Sequence, residues 1–457
     1  MAAERAMLLR RLAIRCLATL PLMAACAAPG APSFTEAELA VLATLRYDDG
    51  ALAPVDPSNR VSDDPAARAF GQRLFFDRRL SGPLIDGDND GSDGTLGRIG
   101  EAGRASCADC HVPEDGFVDT RSPHRQVSLA AQWTLRRTPT LLEIGFAPVY
   151  NWDGRRDSLW GQAMGVLESE RELNGGRLFV AQQIALHHRA EYEAIFGPMP
   201  ELDPARFPTL TPEDAGCTLR RTTDGPVYDC RGRPGDGADY DAMAPEDQAI
   251  VTRIAVDVTK AMGAYQAQLR CGPGRFDAWL DGDELALSDR ELRGAALFVG
   301  RGGCVECHSG PRLTDDRFHN VGIAPAIVAV VIQDIDDRGA AEGIAMLEGD
   351  PLSTRGEYSD GPRELPTATG PELEGAFRTP TLRCVSARPS FMHTGQLRSL
   401  EQVVAFFDRG GDPAAGYPGE SEIHRLDLTE EERADLVAFM GTLDGPGPDP
   451  SLLAAPE

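Results

Sequence analysis

Cys107-Ala108-Asp109-Cys110-His111 and Cys304-Val305-Glu306-Cys307-His308 are two copies of one pattern, C-x-x-C-H, in a chain of 457 residues. At this composition chance supplies about 0.004 copies per chain, so the repeat is not accidental. Two thiols at this spacing can bond to both vinyl-bearing edges of one porphyrin, and the imidazole that follows can ligate the iron. A dithiol redox motif or half of a zinc site would also explain the cysteine pairs, but neither requires the histidine.

The two motifs therefore predict two covalently bound c-type haems. The expected thioether ligands are Cys107, Cys110, Cys304 and Cys307, and the expected axial iron ligands are His111 and His308. Each motif follows a predicted short helix, Ala67 to Phe76 in one half and Asp289 to Phe298 in the other. This repetition indicates a duplicated architecture, with one haem domain over 61–270 and a second over 285–445.

The chain is acidic, since 45 Lys and Arg against 71 Asp and Glu give a formal net charge of −26. Such a charge repels the phosphate backbone of nucleic acids, and no Lys/Arg-rich stretch locally reverses it, which excludes nucleic acid as a partner. The same field favours a basic protein partner. The hydrophobic fraction of 42% is ordinary for a globular chain that buries a core.

The first residues have the features of an export signal. Arg5, Arg10 and Arg11 precede an apolar stretch, Cys16 to Ala25, that is too short to span a bilayer. The sequence Leu22-Met23-Ala24-Ala25-Cys26 resembles a bacterial lipoprotein cleavage site and predicts lipidation at Cys26, with ordinary signal cleavage as the alternative. We expect a leader over 1–26 and a tether over 27–60. The mature protein would lie in the periplasm, held only by a lipid anchor in the outer membrane of a Gram-negative bacterium.

Hydrophobic periodicity predicts a mainly α-helical chain with long loops. Residues 246–270 follow a proline and place apolar side chains on one stripe, which is typical of a core-facing helix. Ser399 with Gln402 and Thr429 with Glu432 are capping boxes that predict two more helices after the second motif. A polar stretch over about 332–375 indicates an irregular insertion.

The cysteines outside the motifs and the leader form two pairs. Cys217 and Cys230 flank a polar loop, which predicts a disulfide in an oxidising compartment. Cys271 and Cys384 either pair or stay buried.

Eight ordered stretches of the chain, within about residues 65–445, match a known family. The chain resembles the bacterial di-haem cytochrome c peroxidase and MauG family in FGQRLFFDRRLSG at 70–82, SCADCH at 106–111, RRTPTLLEIGF at 136–146, NWDGRRDSLWGQAMG at 151–165, GAALFVGRGGCVECH at 294–308, FHNVG at 318–322, FRTPTLR at 377–383 and MHTGQLRSLEQVV at 392–404. The resemblance implies a mainly α fold of two cytochrome c-like haem domains. It also implies a peroxidatic haem in the N-terminal half and an electron-transfer haem in the C-terminal half.

The resemblance also implies catalytic side chains. The family has a Trp between the haems, a Gln ten residues on and a Glu twenty residues on, and here these positions are Trp152, Gln162 and Glu172. Peroxide at an iron needs a carboxylate that takes a proton from one oxygen and returns it to the other, which suits Glu172. An indole is large and oxidisable, so Trp152 suits electron passage.

Three positions depart from the family pattern. Ala131 stands where reductively activated peroxidases have a distal His, so the first haem should be five-coordinate and open, with His124 the only nearby substitute. Phe407 stands where the second haem takes its sixth ligand, so that haem is five-coordinate or is bound by Met392, Tyr417, Met440 or a shifted residue. Arg137 stands where the family has an Asn at an inter-haem calcium, which puts that calcium in doubt.

Two further parts of the sequence contain residues of types that can bind metal ions. Asp86, Asp88 and Asp90 fit the first half of an EF-hand-type calcium loop, but the closing carboxylate is missing at Gly97. His319 lies in a family block and is expected to be structural.

These observations leave three functions. In the first, hydrogen peroxide is reduced with electrons from a small c-type cytochrome or cupredoxin. In the second, a MauG-like enzyme uses peroxide to modify tryptophan in a partner protein. The region from Trp152 to Glu172 resembles MauG-like enzymes of copper-handling operons, which favours this second function. The third, a pure electron-transfer cytochrome, would need two six-coordinate haems, against which Ala131 and Phe407 both argue.

Overall fold

Each half of the chain is built on a crossing of two helices at a glycine. The computed structural model describes residues 32–121, 127–223, 225–323, 327–328, 331–332, 337–364, 370–412 and 418–456. This part of the chain contains twelve α-helices, α1 to α12, which span Glu36–Thr44, Pro65–Phe75, Cys107–Cys110, Leu159–Glu168, Arg177–His187, Arg189–Phe196, Pro245–Gln266, Arg275–Leu280, Asp289–Val299, Ala340–Ala345, Leu400–Asp408 and Glu430–Met440.

The strands are short and form three two-stranded antiparallel sheets in the described residues. Strands β1 to β6 span Gly216–Thr222, Gly225–Arg231, Phe318–His319, Ile327–Val328, Val331–Ile332 and Phe377–Arg378. β1 pairs with β2, β3 with β6, and β4 with β5. The predicted mainly α fold is thus confirmed.

In the first half, α2 crosses α7. Asp64 caps α2 by accepting from the backbone N–H groups of Ala66 and Ala67, and Pro65 occupies the first turn. At the crossing, a Cβ on Gly71 would lie 1.9 Å from the carbonyl oxygen of Ala261, so only glycine lets the two helices approach. Apolar side chains of both helices, with those of α4 and α5, fill the first core.

In the second half, α9 crosses α12 in the same way. Full capping boxes start both helices, Ser288 with Glu291 and Thr429 with Glu432. A Cβ on Gly294 would lie 2.1 Å from the carbonyl oxygen of Asp435. The duplication predicted from the two motifs therefore extends to the helix contacts that support them.

The predicted helices agree with the structure to within a few residues. The helix expected over 246–270 is α7, and those expected before the motifs are α2 and α9. Ser399 accepts from the backbone N–H of Gln402 and so begins α11. The insertion predicted over 332–375 contains the short helix α10 and, in its other described parts, turns and irregular backbone.

The segment expected as a tether over 27–60 is packed instead. Thr35 caps α1, and Leu42 and Leu45 are fully buried in the second core. The backbone N–H of Tyr47 donates to Asp277, and its hydroxyl donates to Glu143. The tether prediction is therefore wrong from Thr35 onward, because a composition rich in Ala and Pro still carried enough apolar side chains to fill a groove.

The predicted domain limits also shift at both ends of the second unit. Phe276 and Leu280 on α8 lie in the second core, so this unit begins before 285. After 445 the chain returns to the first unit, where Tyr265 donates to the carbonyl of Leu452 at 2.6 Å. The leader over 1–26, with Cys26, lies outside the described residues. No helix that the structure describes is long and apolar enough to cross a membrane.

Two disulfides are present in the described part of the chain. Cys217 and Cys230 face each other across the β1–β2 hairpin and are bonded, as predicted. Cys271, just after α7, is bonded to Cys384, which settles the alternative that the sequence left open.

The helix crossing gives a stability prediction. Gly71→Ala should lower the free energy of unfolding by about 1–3 kcal/mol or more, because the added methyl group collides with the backbone of α7. Thermal unfolding followed by circular dichroism measures it. Gly87→Ala is the matched control, since nothing lies within 4 Å of its added Cβ. Equal melting temperatures for the two variants would contradict the close approach.

Candidate functional site

The first motif forms a single turn of helix, α3. Ser106 precedes it, and the Ser106 hydroxyl and backbone N–H both donate to Asp109, at 2.7 and 2.8 Å. The backbone N–H of His111 then donates to the carbonyl of Cys107 at 2.8 Å, which closes the turn. This tight turn places Cys107, Cys110 and His111 on the wall of one cavity.

Both motif histidines are held by the same type of hydrogen bond, from the imidazole to a backbone carbonyl. Nδ1 of His111 donates to the carbonyl of Phe117 at 3.0 Å, and Nδ1 of His308 donates to the carbonyl of Leu313 at 3.0 Å. Phe117 and Leu313 have φ of 59° and 54°, an uncommon left-handed conformation that turns each carbonyl toward its imidazole. Each histidine thus keeps Nε2 for a ligand, the arrangement typical of metal-binding histidines.

A cavity of about 600 Å³ opens beside the first motif. Its walls come from both halves of the chain, because Asp337, Arg378 and His393 line it together with residues of the first unit. Ligand pockets in proteins span about 300–1,000 Å³, so a large cofactor and a small substrate fit here. All three predicted catalytic side chains line this cavity, namely Trp152, Gln162 and Glu172.

Glu172 is fixed by its backbone. Its N–H donates to the carbonyl of Ser169 at 3.1 Å, and its own carbonyl accepts from the N–H of Ala131 at 3.0 Å. Burial raises the pKa of the Glu172 carboxyl above its ordinary value, while the charge of Arg155 and the hydroxyl of Ser169 oppose that rise. A carboxyl with a raised pKa is suited to take up and release a proton near neutral pH.

Ala131 is buried, and both its backbone N–H and its backbone carbonyl are hydrogen-bonded. Its carbonyl accepts from the N–H groups of Ile85 and Asp86, in addition to the bond from its N–H to Glu172. His111 and His393 are the histidines among the described residues that line the cavity. His393 is stacked on Phe377 with ring centroids 3.5 Å apart. His124 lies outside the described residues.

Trp152 lies between the large cavity and a smaller one. It is 8% exposed, its indole N–H donates to the carbonyl of Arg137 at 2.7 Å, and its ring meets His393 edge-on at 6.4 Å. The smaller cavity is also lined by Thr314, the neighbour of the residue that holds His308. Trp152 therefore stands between the two motif regions.

The candidate sixth ligands of the second haem lie in different places. Phe407 is half-buried against Phe406, Met440 packs in the second core, and Met392 lines the smaller cavity. Tyr417 lies outside the described residues. His319 contacts the carboxylates of Asp315 and Glu422 with both ring nitrogens, at 2.9 and 2.7 Å, and these carboxylates raise its pKa. The expected structural role of His319 fits these contacts.

The three aspartates of the possible calcium loop accept local hydrogen bonds. Asp86 accepts from the N–H of Asp88, Asp90 accepts from the N–H of Ser92, and Asp88 accepts from the indole of Trp133. In the part of the chain that the structure describes, no three His, Cys, Asp or Glu side chains are grouped so that they could hold a metal ion.

The donor set at both motifs fits a c-type haem. In the described residues, the cysteines outside the two disulfides are Cys107, Cys110, Cys304 and Cys307, and all four carry free thiols. Each pair lies beside an imidazole whose Nε2 is available. The large cavity supplies space next to the first pair.

Comparison with known proteins agrees with this geometry. A family model described as di-haem cytochrome c peroxidase matches residues 65–215. The methylamine utilization protein MauG of Methylorubrum extorquens is 28% identical over 395 residues, which cover 86% of this chain and 81% of that protein. A cytochrome-c peroxidase of Denitromonas iodatirespirans is 28% identical over 407 residues, 86% of each chain. The chain is thus similar to di-haem cytochrome c peroxidases over residues 65–215, and to MauG and a cytochrome-c peroxidase over most of its length.

The fold of this chain has solved counterparts. The crystal structure of a MauG-like protein associated with microbial copper homeostasis has a TM-score of 0.54 and 21% identity, over 90% of this chain and 98% of that one. The matching family model and the relatives are named as di-haem cytochrome c peroxidases and MauG, which supports a peroxidase-like di-haem oxidoreductase.

Some residues of the peroxidase site were missed from the sequence. Arg155 lines the cavity and acts on the pKa of Glu172, and it lies in the block at 151–165. His393 and Arg388 lie far along the chain and reach the site only through the second unit. The resemblance blocks at 377–383 and 392–404 were the only signal that this region mattered.

The free thiols give a prediction about haem content. Replacing Cys304 and Cys307 by Ser should leave one haem per chain after denaturation, since one pair of attachment points is lost. Pyridine haemochrome absorbance per protein measures it. The matched control replaces Cys217 and Cys230, which form a disulfide, and should keep two haems. Two haems in the first variant would contradict attachment at that motif.

Proposed function

We propose that this chain is an exported di-haem peroxidase that reacts with hydrogen peroxide at the haem held by His111, without prior reduction. The observation that carries the proposal is the cavity of about 600 Å³ that brings Glu172 and Gln162 to the Cys107-to-His111 motif. Ala131 stands where a blocking histidine would be needed, and a methyl group cannot ligate iron.

The bound haem would supply a redox-active iron to which peroxide can coordinate. Thioether bonds from Cys107 and Cys110 would hold it, with Nε2 of His111 as the axial ligand. The hydrogen bond to the Phe117 carbonyl keeps that imidazole in one orientation and makes it a stronger donor.

Glu172 would move the proton. Its carboxylate accepts the proton from one peroxide oxygen and returns it to the other, so that water can leave. The bond between its carbonyl and the N–H of Ala131 keeps the side chain at the cavity wall through the cycle. Gln162, on α4, would orient peroxide by hydrogen bonding.

Trp152 would connect the two halves of the site. It lines both cavities, and the bond from its indole to the Arg137 carbonyl holds the ring in place. Electrons from a small c-type cytochrome or cupredoxin would enter at the haem of His308 and pass this ring. The net charge of −26 favours a basic donor.

Export to the periplasm fits c-type haem attachment and the two disulfides. Lipidation at Cys26, and with it an outer-membrane anchor, remains the proposal made from the sequence.

A MauG-like reaction is the second candidate. Phe407 cannot supply a sixth ligand to the second haem, and a haem that lacks a Met ligand ordinarily has a lower reduction potential, so it would accept electrons from small cytochromes poorly. In that case the oxidising equivalents would be used on tryptophan in a partner protein, and a copper-binding partner is the one suggested by the MauG-like structural relative.

The role of Glu172 gives a kinetic prediction. Glu172→Gln should keep both haems and slow the peroxide-induced Soret change by about 10²–10⁴-fold, the range typical of losing a general acid–base group. Stopped-flow absorption measures the rate. Glu168→Gln, on the same run but paired with Arg177, is the matched control and should react at a near wild-type rate. Unchanged kinetics for Glu172→Gln would remove it from the mechanism.

The pH dependence of the same reaction follows from the pKa of Glu172. The carboxylate is the active form, so the rate should fall as the pH drops through its pKa. Because burial raises that pKa, the fall should begin at a higher pH than for an exposed glutamate. Arg155→Gln removes a charge that lowers this pKa, and should move the fall to still higher pH. A pH–rate profile that shows no fall at low pH would contradict the role of Glu172. A fall that occurs at the same pH in Arg155→Gln as in the wild type would contradict it as well.

The two candidate reactions differ in the fate of the oxidised protein. Diferric protein mixed with one equivalent of peroxide should react at once, without added reductant. Rapid return to the starting spectrum on adding a reduced small cytochrome would support the donor-driven peroxidase. A long-lived oxidised spectrum that such donors do not discharge would favour oxidation of a partner. No reaction before one-electron reduction would overturn the open site, and no reaction at all would favour a pure electron-transfer cytochrome.

A further inference from the structure

The smaller cavity between the two motif regions is strongly basic. Its walls carry four arginines and one acidic side chain, namely Arg137, Arg312, Arg378, Arg388 and Glu143. In a molecule with a net charge of −26, such a buried group of guanidinium ions is unexpected. Two of the four, Arg137 and Arg388, are only 5% and 6% exposed.

The acidic side chains nearby are already engaged. Glu143 accepts from the Tyr47 hydroxyl, the Cys271 N–H and Arg270. Asp316 lies outside the lining and pairs with Arg312 and Arg378. Within the described residues, no carboxylate forms an ion pair with Arg137 or Arg388, although the charges of Asp119 and Asp444 act on them from farther away.

Both guanidinium groups have hydrogen-bonding capacity left over. Nε of Arg137 donates to the Ser390 hydroxyl at 2.6 Å, and Arg388 donates to the carbonyls of Thr381 and Arg383 at 2.8 and 2.7 Å. Within the described residues, Nη2 of Arg137 and Nε of Arg388 are buried and have no partner. Burial and the neighbouring charge of Arg388 lower the pKa of Arg137 to about 9, which shows how poorly its charge is compensated by the protein alone.

A buried, uncompensated cation is strongly destabilising unless an anion joins it. The guanidinium fork matches the geometry of a carboxylate, which it binds through paired N–H donors. Every haem brings two carboxylates, on the porphyrin edge away from the vinyl groups. The cysteines hold the vinyl side, so those carboxylates must end among the residues farther into the cavities.

The position of each arginine indicates which haem it meets. Arg137 lines both the smaller cavity and the large one beside His111. Arg388 lines only the smaller cavity, and its charge acts on His308. We propose that Arg137 binds a carboxylate of the haem held by His111, and that Arg388 binds a carboxylate of the haem held by His308.

Arg137 then supplies a permanent cation at the place where the family resemblance suggested calcium. A divalent cation would be repelled by the guanidinium group, so the two haems would be bridged by protein charge. This inference rests on the presence of two haems and not on the reaction with peroxide.

The test measures the reduction potential of each haem in the intact holoprotein by spectroelectrochemical titration. Removing a nearby cation stabilises the ferric state, so Arg137→Gln should lower chiefly the potential of the His111 haem, and Arg388→Gln chiefly that of the His308 haem. Arg137→Lys keeps the charge but not the fork and should lower the potential less than Arg137→Gln. Arg398→Gln removes the same charge from an exposed side chain and should change neither potential.

Infrared redox-difference spectra of the wild type give a measurement that needs no variant. Haem carboxylates labelled with ¹³C through 5-aminolevulinate should show bands of carboxylate groups that stay ionised across pH 5–9. Complete protonation of the labelled carboxyl groups within that range would overturn the proposal, as would unchanged potentials in Arg137→Gln with both haems bound. A shift of the wild-type potentials on adding calcium, EGTA or inorganic phosphate would also overturn it, because a free ion would then occupy the cavity.

Discussion

The hydrogen bond from Nδ1 of His111 to the carbonyl of Phe117 is the constraint around which the first unit is organised. It requires Phe117 to adopt a left-handed backbone conformation, and such a conformation persists only when the surroundings hold it. Phe75 on α2 packs against Phe117, His111 and Tyr265, so the helix crossing at Gly71 and the iron-binding imidazole belong to one cluster. The second unit repeats the arrangement with His308 and Leu313.

The two units share the helix crossing and the histidine hydrogen bond that support each motif. They differ in the side chains that lie near the motif. Beside the first motif, the chain leaves a large cavity with a carboxyl of raised pKa at its wall. Near the second motif, His319 is committed to two carboxylates and Met440 to the core. The two units thus support their motifs in the same way, and the large cavity lies beside the first of them.

Charged side chains are also distributed unevenly in this protein. The surface of the protein is acidic overall, but arginines gather where the two units meet. Burying Arg137 and Arg388 costs desolvation energy, which in our proposal a carboxylate of each haem offsets. In our proposal, haem binding and the packing of the two units are therefore linked, because the interface is electrostatically complete only when both haems are present.

Local signals in the sequence were reliable where a short stretch is enough to specify a structure. The C-x-x-C-H turns, the helix starts at Ser399 and Thr429 and the hairpin disulfide depend on residues close together in the sequence, and they appear in the structure. Tertiary contacts, in contrast, involve two segments in ways that their local patterns did not indicate. The segment after Thr35 packs on the second core although it reads as a linker, and Asp86, Asp88 and Asp90 serve local turns and the Trp133 indole although their spacing suits calcium.

The sequence by itself determined the number of haem motifs, the helices that precede them and the identity of Glu172, Gln162 and Trp152 as candidates, because each lies within a contiguous pattern. Only the tertiary structure decided that these three side chains share one cavity, that Cys271 pairs with Cys384, and that Arg137 and Arg388 are buried with no ion-paired carboxylate among the described residues. The disulfide joins residues 113 positions apart, and Arg137 donates to Ser390, 253 positions away. Burial and uncompensated charge are properties of such contacts, and no local pattern encodes them.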